Sequence, residues 1–228
     1  TNIMKKLLLI LLCLPMIGFG QLTYVPDDNF ENYLEANGMG DGIALNNSVL
    51  TANINPVTFL NVSNASIADL TGIEDFTALQ TLYCYSNQLT SLDVSANLTL
   101  TTLRCYTNQL TSLDVSSNLA LTNLYCNNNQ LTTLDVSANL TLTTLRCYSN
   151  QLTSLDVSAN LALTTLYCYY NQLTSLDLSS NTALTSLRCY SNQLTSLDVS
   201  TNLTLTYLSC YSNQLTSLDV SNNTALYY

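Results

Sequence analysis

Read for apolar and polar positions, the chain copies itself. From Leu79 to Thr99 it runs LQTLYCYSNQLTSLDVSANLT, and the order returns every 21 residues, so that Cys84, Cys105, Cys126, Cys147, Cys168, Cys189 and Cys210 hold one place in each copy. The first half reads L-x-x-L-x-C-x-x-N-x-L and the second x-x-L-D-V-S-x-N-x-x. In Leu82-Tyr83-Cys84-Tyr85, apolar and polar residues alternate as in a strand that turns Leu and Cys inward and both Tyr outward. One such turn cannot enclose its own apolar side, so the turns must stack. Asn87, Asn108, Asn129, Asn150, Asn171, Asn192 and Asn213 recur where each turn bends, and their amides can serve backbone groups that lack a ladder partner. A second series, Asn97 through Asn223, does the same at the opposite corner. With Gly absent after Gly72, side-chain amides must do the turning.

These motifs resemble the leucine-rich repeat family, in its short 21-residue bacterial class, over about Val57 to Leu226. The resemblance implies a right-handed solenoid with a parallel β-sheet built from the L-x-C strands. A second short strand or extended segment per turn comes from L-D-V, and a small helical cap stands at the N-terminus. The stretch from TYVPDDNFENYLEANG to LTGIEDFTAL is similar to the N-terminal cap of secreted Bacteroidetes-type proteins of this family. In that cap Asp27 or Asp28 can start a helix over Asn29 to Ala36 that stops at Gly38 and shows Phe30, Tyr33 and Leu34 on one face. Residues 39–56 read as irregular, and Val57–Ser63 as the first strand, in a turn of about 22 residues.

The expected domains are a leader over 1–20, a cap with one short helix over 21–56, and repeats over 57–228. Met4, Lys5-Lys6 and the apolar run from Leu7 to Phe19 form a signal peptide, too short to span a bilayer, so the chain is expected to be exported, secreted or at the cell surface. Cys13 would leave with it, because Leu12 stands where a lipobox needs a small residue. The sequence stops at Tyr228 just where another strand should begin, which predicts a fragment without its C-terminal cap.

Composition narrows the functions. Only 9% of residues are charged, His and Trp are absent, and 5 Lys and Arg face 15 Asp and Glu. That balance excludes nucleic acid as a partner, since phosphate binding needs a basic surface. The lack of His excludes imidazole catalysis and His-ligated metal. There is no nucleophile elbow, Walker loop or H-E-x-x-H. A non-enzymatic module without a cofactor or a transmembrane span in the mature chain is therefore expected. The Cys series reads as buried free thiols acting as small hydrophobes, with bridges between neighbouring turns as the alternative.

Two outward faces remain. Before each Cys the residues are Tyr83, Arg104, Tyr125, Arg146, Tyr167, Arg188 and Ser209; after it come Tyr85, Tyr106, Asn127, Tyr148, Tyr169, Tyr190 and Tyr211. Tyr and Arg are favoured at binding hot spots, so this face, with Tyr170 beside it, is the candidate surface for a protein or glycan ligand. The plainer account is strand propensity with each Arg lying over neighbouring rings. The other face stacks Asp93, Asp114, Asp135, Asp156, Asp177, Asp198 and Asp219. Hydroxyls such as Ser91 and Ser95 could offset the repulsion of these carboxylates, or calcium could bridge them. With the row Thr90, Thr111, Thr132, Thr153, Thr174, Thr195 and Thr216, this face supports an alternative, a structural or adhesive surface protein. Ligand sites tend to break repeat symmetry, and Asn127, Asn128, Tyr170, Tyr207 and Ser209 do so.

Overall fold

The computed structural model describes residues 20–227. The leader from Met4 to Phe19, with Cys13, lies outside the described residues.

Eight strands of three residues each form one parallel sheet in strictly sequential order. They are β3 (Phe59–Asn61), β4 (Thr81–Tyr83), β5 (Thr102–Arg104), β6 (Asn123–Tyr125), β7 (Thr144–Arg146), β8 (Thr165–Tyr167), β9 (Ser186–Arg188) and β10 (Tyr207–Ser209). Register is exact by sequence position, Leu82 opposite Leu103 and Tyr83 opposite Arg104. The central Leu of each strand from β4 to β9 is fully buried, as are Cys84 through Cys189 behind them. Leu89 and Val94 and their equivalents close the far side of this core. Each enclosed Leu contributes about 2 kcal/mol relative to an exposed one, so the period itself is the main source of stability. The expected solenoid with parallel L-x-C strands is the fold observed.

The corners explain the two Asn series. Asn108 Nδ2 donates to Cys84 O and Cys105 O, both at 3.0 Å, and its Oδ1 accepts from Leu89 N at 3.1 Å. Asn139, at the opposite corner, is fully buried and donates to Val115 O and Asn118 O, each at 3.0 Å. Its Oδ1, like that of every member of its series from Asn97 to Asn223, is buried without a partner. The amides do not turn the chain alone. The residue just before each Asn of the first series is left-handed: Ser86, Thr107, Asn128, Ser149, Tyr170, Ser191 and Ser212 have φ of 51–55°. Gly takes this conformation freely and Asn fairly readily, so the strain falls on the Ser, Thr and Tyr members of the row. A third ladder, unremarked in the sequence, has Thr122, Thr143, Thr164, Thr185 and Thr206 hydroxyls donating to the threonine carbonyl one turn earlier, at 3.0–3.1 Å. Residues 92–94 form an extended segment without ladder pairing, the second of the two forms expected for L-D-V.

The cap differs from its expectation. Helix α1 spans Asp28–Ala36, with Asp27 as N-cap, accepting from Asn29 N and Phe30 N. Residues 39–56, expected to be irregular, contain β2 (Ser48–Leu50) and a short helix α2 (Thr51–Ile54), so the cap holds two helices. Strand β2 pairs antiparallel with β1 (Leu22–Tyr24). Glu31 explains the correction. Its buried carboxylate accepts from Asn46 N at 2.8 Å and Asn47 N at 3.0 Å, fixing the loop that presents β2. Asp27 also accepts from Ala68 N at 2.7 Å and Asp69 N at 3.1 Å, joining the cap to the first turn. Gly72 is required where it stands: its φ is +104°, and a Cβ there would meet Tyr24 O at 2.9 Å.

Candidate functional site

The strand register builds two columns on the outward sheet face. In the column before Cys, rings and guanidiniums alternate. Arg104 Cζ lies 4.4 Å from the Tyr83 centroid and 4.9 Å from Tyr125. Arg146 lies 5.1 Å from Tyr125 and 4.9 Å from Tyr167, and Arg188 is 4.7 Å from Tyr167. The Nε atoms of all three are buried without a hydrogen-bond partner, so the guanidiniums are held by ring faces. Both ends are closed by aromatics the sequence reading did not assign to the face. Tyr207 takes the far side of Arg188 at 4.8 Å, where Ser209 has no ring to offer. Phe59 meets Tyr83 edge-on at 5.3 Å. Each sits two residues ahead of the column, at the start of its strand, and leans across; only side-chain placement discloses this.

In the column after Cys the rings stack on one another. Tyr85 and Tyr106 are 4.4 Å apart and 5° from parallel. Tyr148, Tyr169, Tyr190 and Tyr211 continue at 4.2–4.4 Å and within 12°. Tyr170 touches Tyr169 and Tyr190 edge-on. Burial, followed by neighbouring phenols, raises the hydroxyls of Tyr106, Tyr169 and Tyr190 above the usual tyrosine range. The rings largely cover one another: among these columns Tyr170 and Tyr211 are the exposed members, and the other tyrosines are half-buried. The plainer account, Arg laid over neighbouring rings, is the geometry seen, and the stacked rings extend it sideways.

One cavity, of about 320 Å³, interrupts this face and is lined by Arg104, Tyr106, Tyr125, Asn127, Arg146 and Tyr148.

The Asp face is built from turns of two residues. Asp93 Oδ1 accepts from Ser95 N at 2.9 Å, and the Ser95 hydroxyl then the N–H hold the carboxylate below its usual range. The same pairing recurs at Asp114, Asp135, Asp156, Asp177, Asp198 and Asp219. The serine two residues on is thus the donor, and Ser91 is not. Neighbouring carboxylates act in the opposite sense, as at Asp114, which Asp135 and Asp93 both push upward. Grooves of about 270 and 380 Å³ lie between successive turns here. Among the described residues, no group of three or more Cys, Asp or Glu is placed to hold a metal ion. The seven thiols are unbridged; six are buried and Cys210 is partly exposed. No helix among the described residues is long and apolar enough to cross a membrane.

No family model matches the chain. Over 74 residues it is 43% identical to internalin J of Listeria monocytogenes, covering 32% of this chain and 8% of that protein. A solved functional domain of the same protein, described as including a cysteine ladder, superposes with a TM-score of 0.74 at 39% identity over 91% of this chain and 51% of that one. Internalin C2 of the same species gives a TM-score of 0.79 at 21% identity, covering 92% of this chain and 97% of its own, a likeness of fold. The chain thus spans about half of the solved internalin J domain. The repeats are those of the leucine-rich repeat solenoid. These relatives come from Listeria, and the Bacteroidetes likeness expected for the cap has no counterpart among them.

Proposed function

We propose that the chain is an exported, non-enzymatic recognition module that binds a protein ligand through the Tyr and Arg face of its parallel sheet. The carrying observation is the pair of columns themselves. Stacked rings and ring-held guanidiniums form an extended, pre-ordered surface of large side chains, broken at Asn127, with little rotamer freedom left to lose on binding. Arg104, Arg146 and Arg188 are also the sole cations of residues 21–228, which carry all 15 acids. Positive charge is thereby concentrated on one face of an acidic chain, favouring a partner with acidic residues. The leader from Met4 to Phe19 supports export.

The test is a screen of the full chain against protein and glycan arrays, repeated with a Tyr169→Ala, Tyr170→Ala, Arg188→Ala variant and with Asp135→Ala, Asp156→Ala. Protein ligands lost with the first variant and kept with the second are the expected result. Ligands lost only with the Asp variant would transfer function to the Asp, Ser and Thr face.

A further inference from the structure

Asn127 stands where six other turns place a tyrosine. On either side of it the column has ring-to-ring spacings of 4.2–4.4 Å with near-parallel planes. Between Tyr106 and Tyr148 the shorter carboxamide leaves a slot one rung deep, which is the cavity described above. Asn127 is only 2% exposed, yet among the described residues its side-chain amide makes no hydrogen bond. Its neighbour Asn128, by contrast, donates to Thr107 Oγ1. The carboxamide opens onto the slot, where a polar group of a ligand can take the place of water. Arg104 and Arg146 add two positive charges to the lining, and none of the six lining residues is acidic.

We propose that this slot accepts one aromatic side chain of the protein ligand, a Tyr adjacent to an acidic residue. The proposal rests on the reading that this face binds protein. The ring stacks between Tyr106 and Tyr148 and restores the spacing of the column. Asn127, at the floor of the slot, meets the phenol hydroxyl at the tip of the ring, and Arg104 or Arg146 pairs with the adjoining carboxylate. A flat ring is the matching shape because the flanking rungs keep aromatic stacking distance. A saturated sugar ring is thicker and puckered.

The test is an NMR titration of the full chain with N-acetyl-Asp-Tyr-Glu-amide, using wild type, Asn127→Tyr, Tyr190→Ala and, as the control on the opposite face, Asp156→Ala. Asn127→Tyr installs the residue that six other turns carry, so the fold is retained while the slot is filled. Saturable binding to wild type is expected, about tenfold weaker for Asn127→Tyr and unchanged for Asp156→Ala. N-acetyl-Asp-Ala-Glu-amide should bind about tenfold more weakly than the tyrosine peptide. Equal affinity for the two peptides, or full affinity in Asn127→Tyr, overturns the slot. If Tyr190→Ala removes binding and Asn127→Tyr does not, the face still binds protein and the slot does not. Asn127-dependent binding of glucuronic acid without peptide binding overturns the aromatic occupant. No peptide binding up to about 10 mM overturns the slot as well, leaving the wider face to be judged by the array screen.

Discussion

Tyr207 covers Arg188 from outside its own column: the strand register pairs Tyr207 with Ser186 and Arg188 with Ser209, yet the guanidinium carbon is 4.8 Å from the Tyr207 ring. The ring missing at residue 209 is supplied from two residues upstream. Tyr207→Ala should therefore loosen the last strand, costing about 1 kcal/mol, while Tyr207→Phe costs less because the ring face remains. Urea midpoints and amide exchange in β9 and β10 measure both. Equal losses for the two variants would show that Arg188 does not depend on the ring.

The two Asn series should respond differently to the same change. Asn150 uses both ends of its amide, donating to Cys126 O and Cys147 O and accepting from Leu131 N. Asn139 uses only its donor. Asn139→Asp would place carboxylate oxygens against two buried carbonyls, whereas Asp at residue 150 keeps the bond from Leu131 N. We expect Asn139→Asp to be the more destabilising, and Asn139→Ala to cost about 1 kcal/mol for each bond lost, since Val115 O and Asn118 O keep the bonds from Asn118 N and Leu121 N. Denaturant unfolding of the variants gives the order directly.

Much of this arrangement was legible in the sequence, because a strict period converts one alternating stretch into a whole sheet. The inward Leu and Cys, the helix after Asp27 and the bonding of the corner Asn all follow from local pattern. Strand β2 did not, since three residues show no periodicity and Ser48–Leu50 owes its form to pairing with β1 and to Glu31 holding the preceding loop. Phe59 was missed, and Tyr207 was noted only as a break in the pattern, because their part in the face depends on leaning sideways across the register. The slot at Asn127 could be named only as a break in the pattern; its depth is a property of the flanking rings.

The thiol ladder predicts alkaline sensitivity. Burial pushes Cys105 and Cys168 up to about 12 from an ordinary 9, and Cys84, Cys126 and Cys147 well upward too. Below 9 these thiols are neutral in both the folded and unfolded chain, and their contribution is fully present. As pH rises from 9 toward 12 the unfolded chain releases protons that the fold retains, so stability falls, by about 1.4 kcal/mol per pH unit for each such thiol. Urea midpoints between about pH 8 and pH 11 should drop steeply, and Cys126→Ala should flatten the slope. Iodoacetamide on the native chain should modify Cys210 first, the partly exposed member.

The acidic face behaves oppositely. The Ser137 hydroxyl, then its N–H, hold the Asp135 carboxyl below its ordinary 3.8. A folded value below the unfolded one gives stability that is present above the ordinary value and is lost as pH falls through the lower, folded one. Ser137→Ala should raise the Asp135 value toward 3.8 in a carboxyl-detected NMR titration and leave Asp177 where it is, two turns away. An Asp135 value that does not move would mean that the backbone N–H suffices.

Asp27, bonded to both the start of α1 and the backbone at Ala68 and Asp69, has a consequence for how the chain finds its register. The turns are close enough to copies that a segment offset by a whole period would meet almost the same neighbours. Only a few surface positions, such as Asn127 and Tyr170, tell one turn from another, and the buried Leu, Cys and Asn rows barely do. For the core the cap breaks this degeneracy, as the zero mark does on a ruler with near-identical divisions. Folding that propagates outward from α1 counts the turns correctly, whereas a chain whose cap is undone can begin its count anywhere.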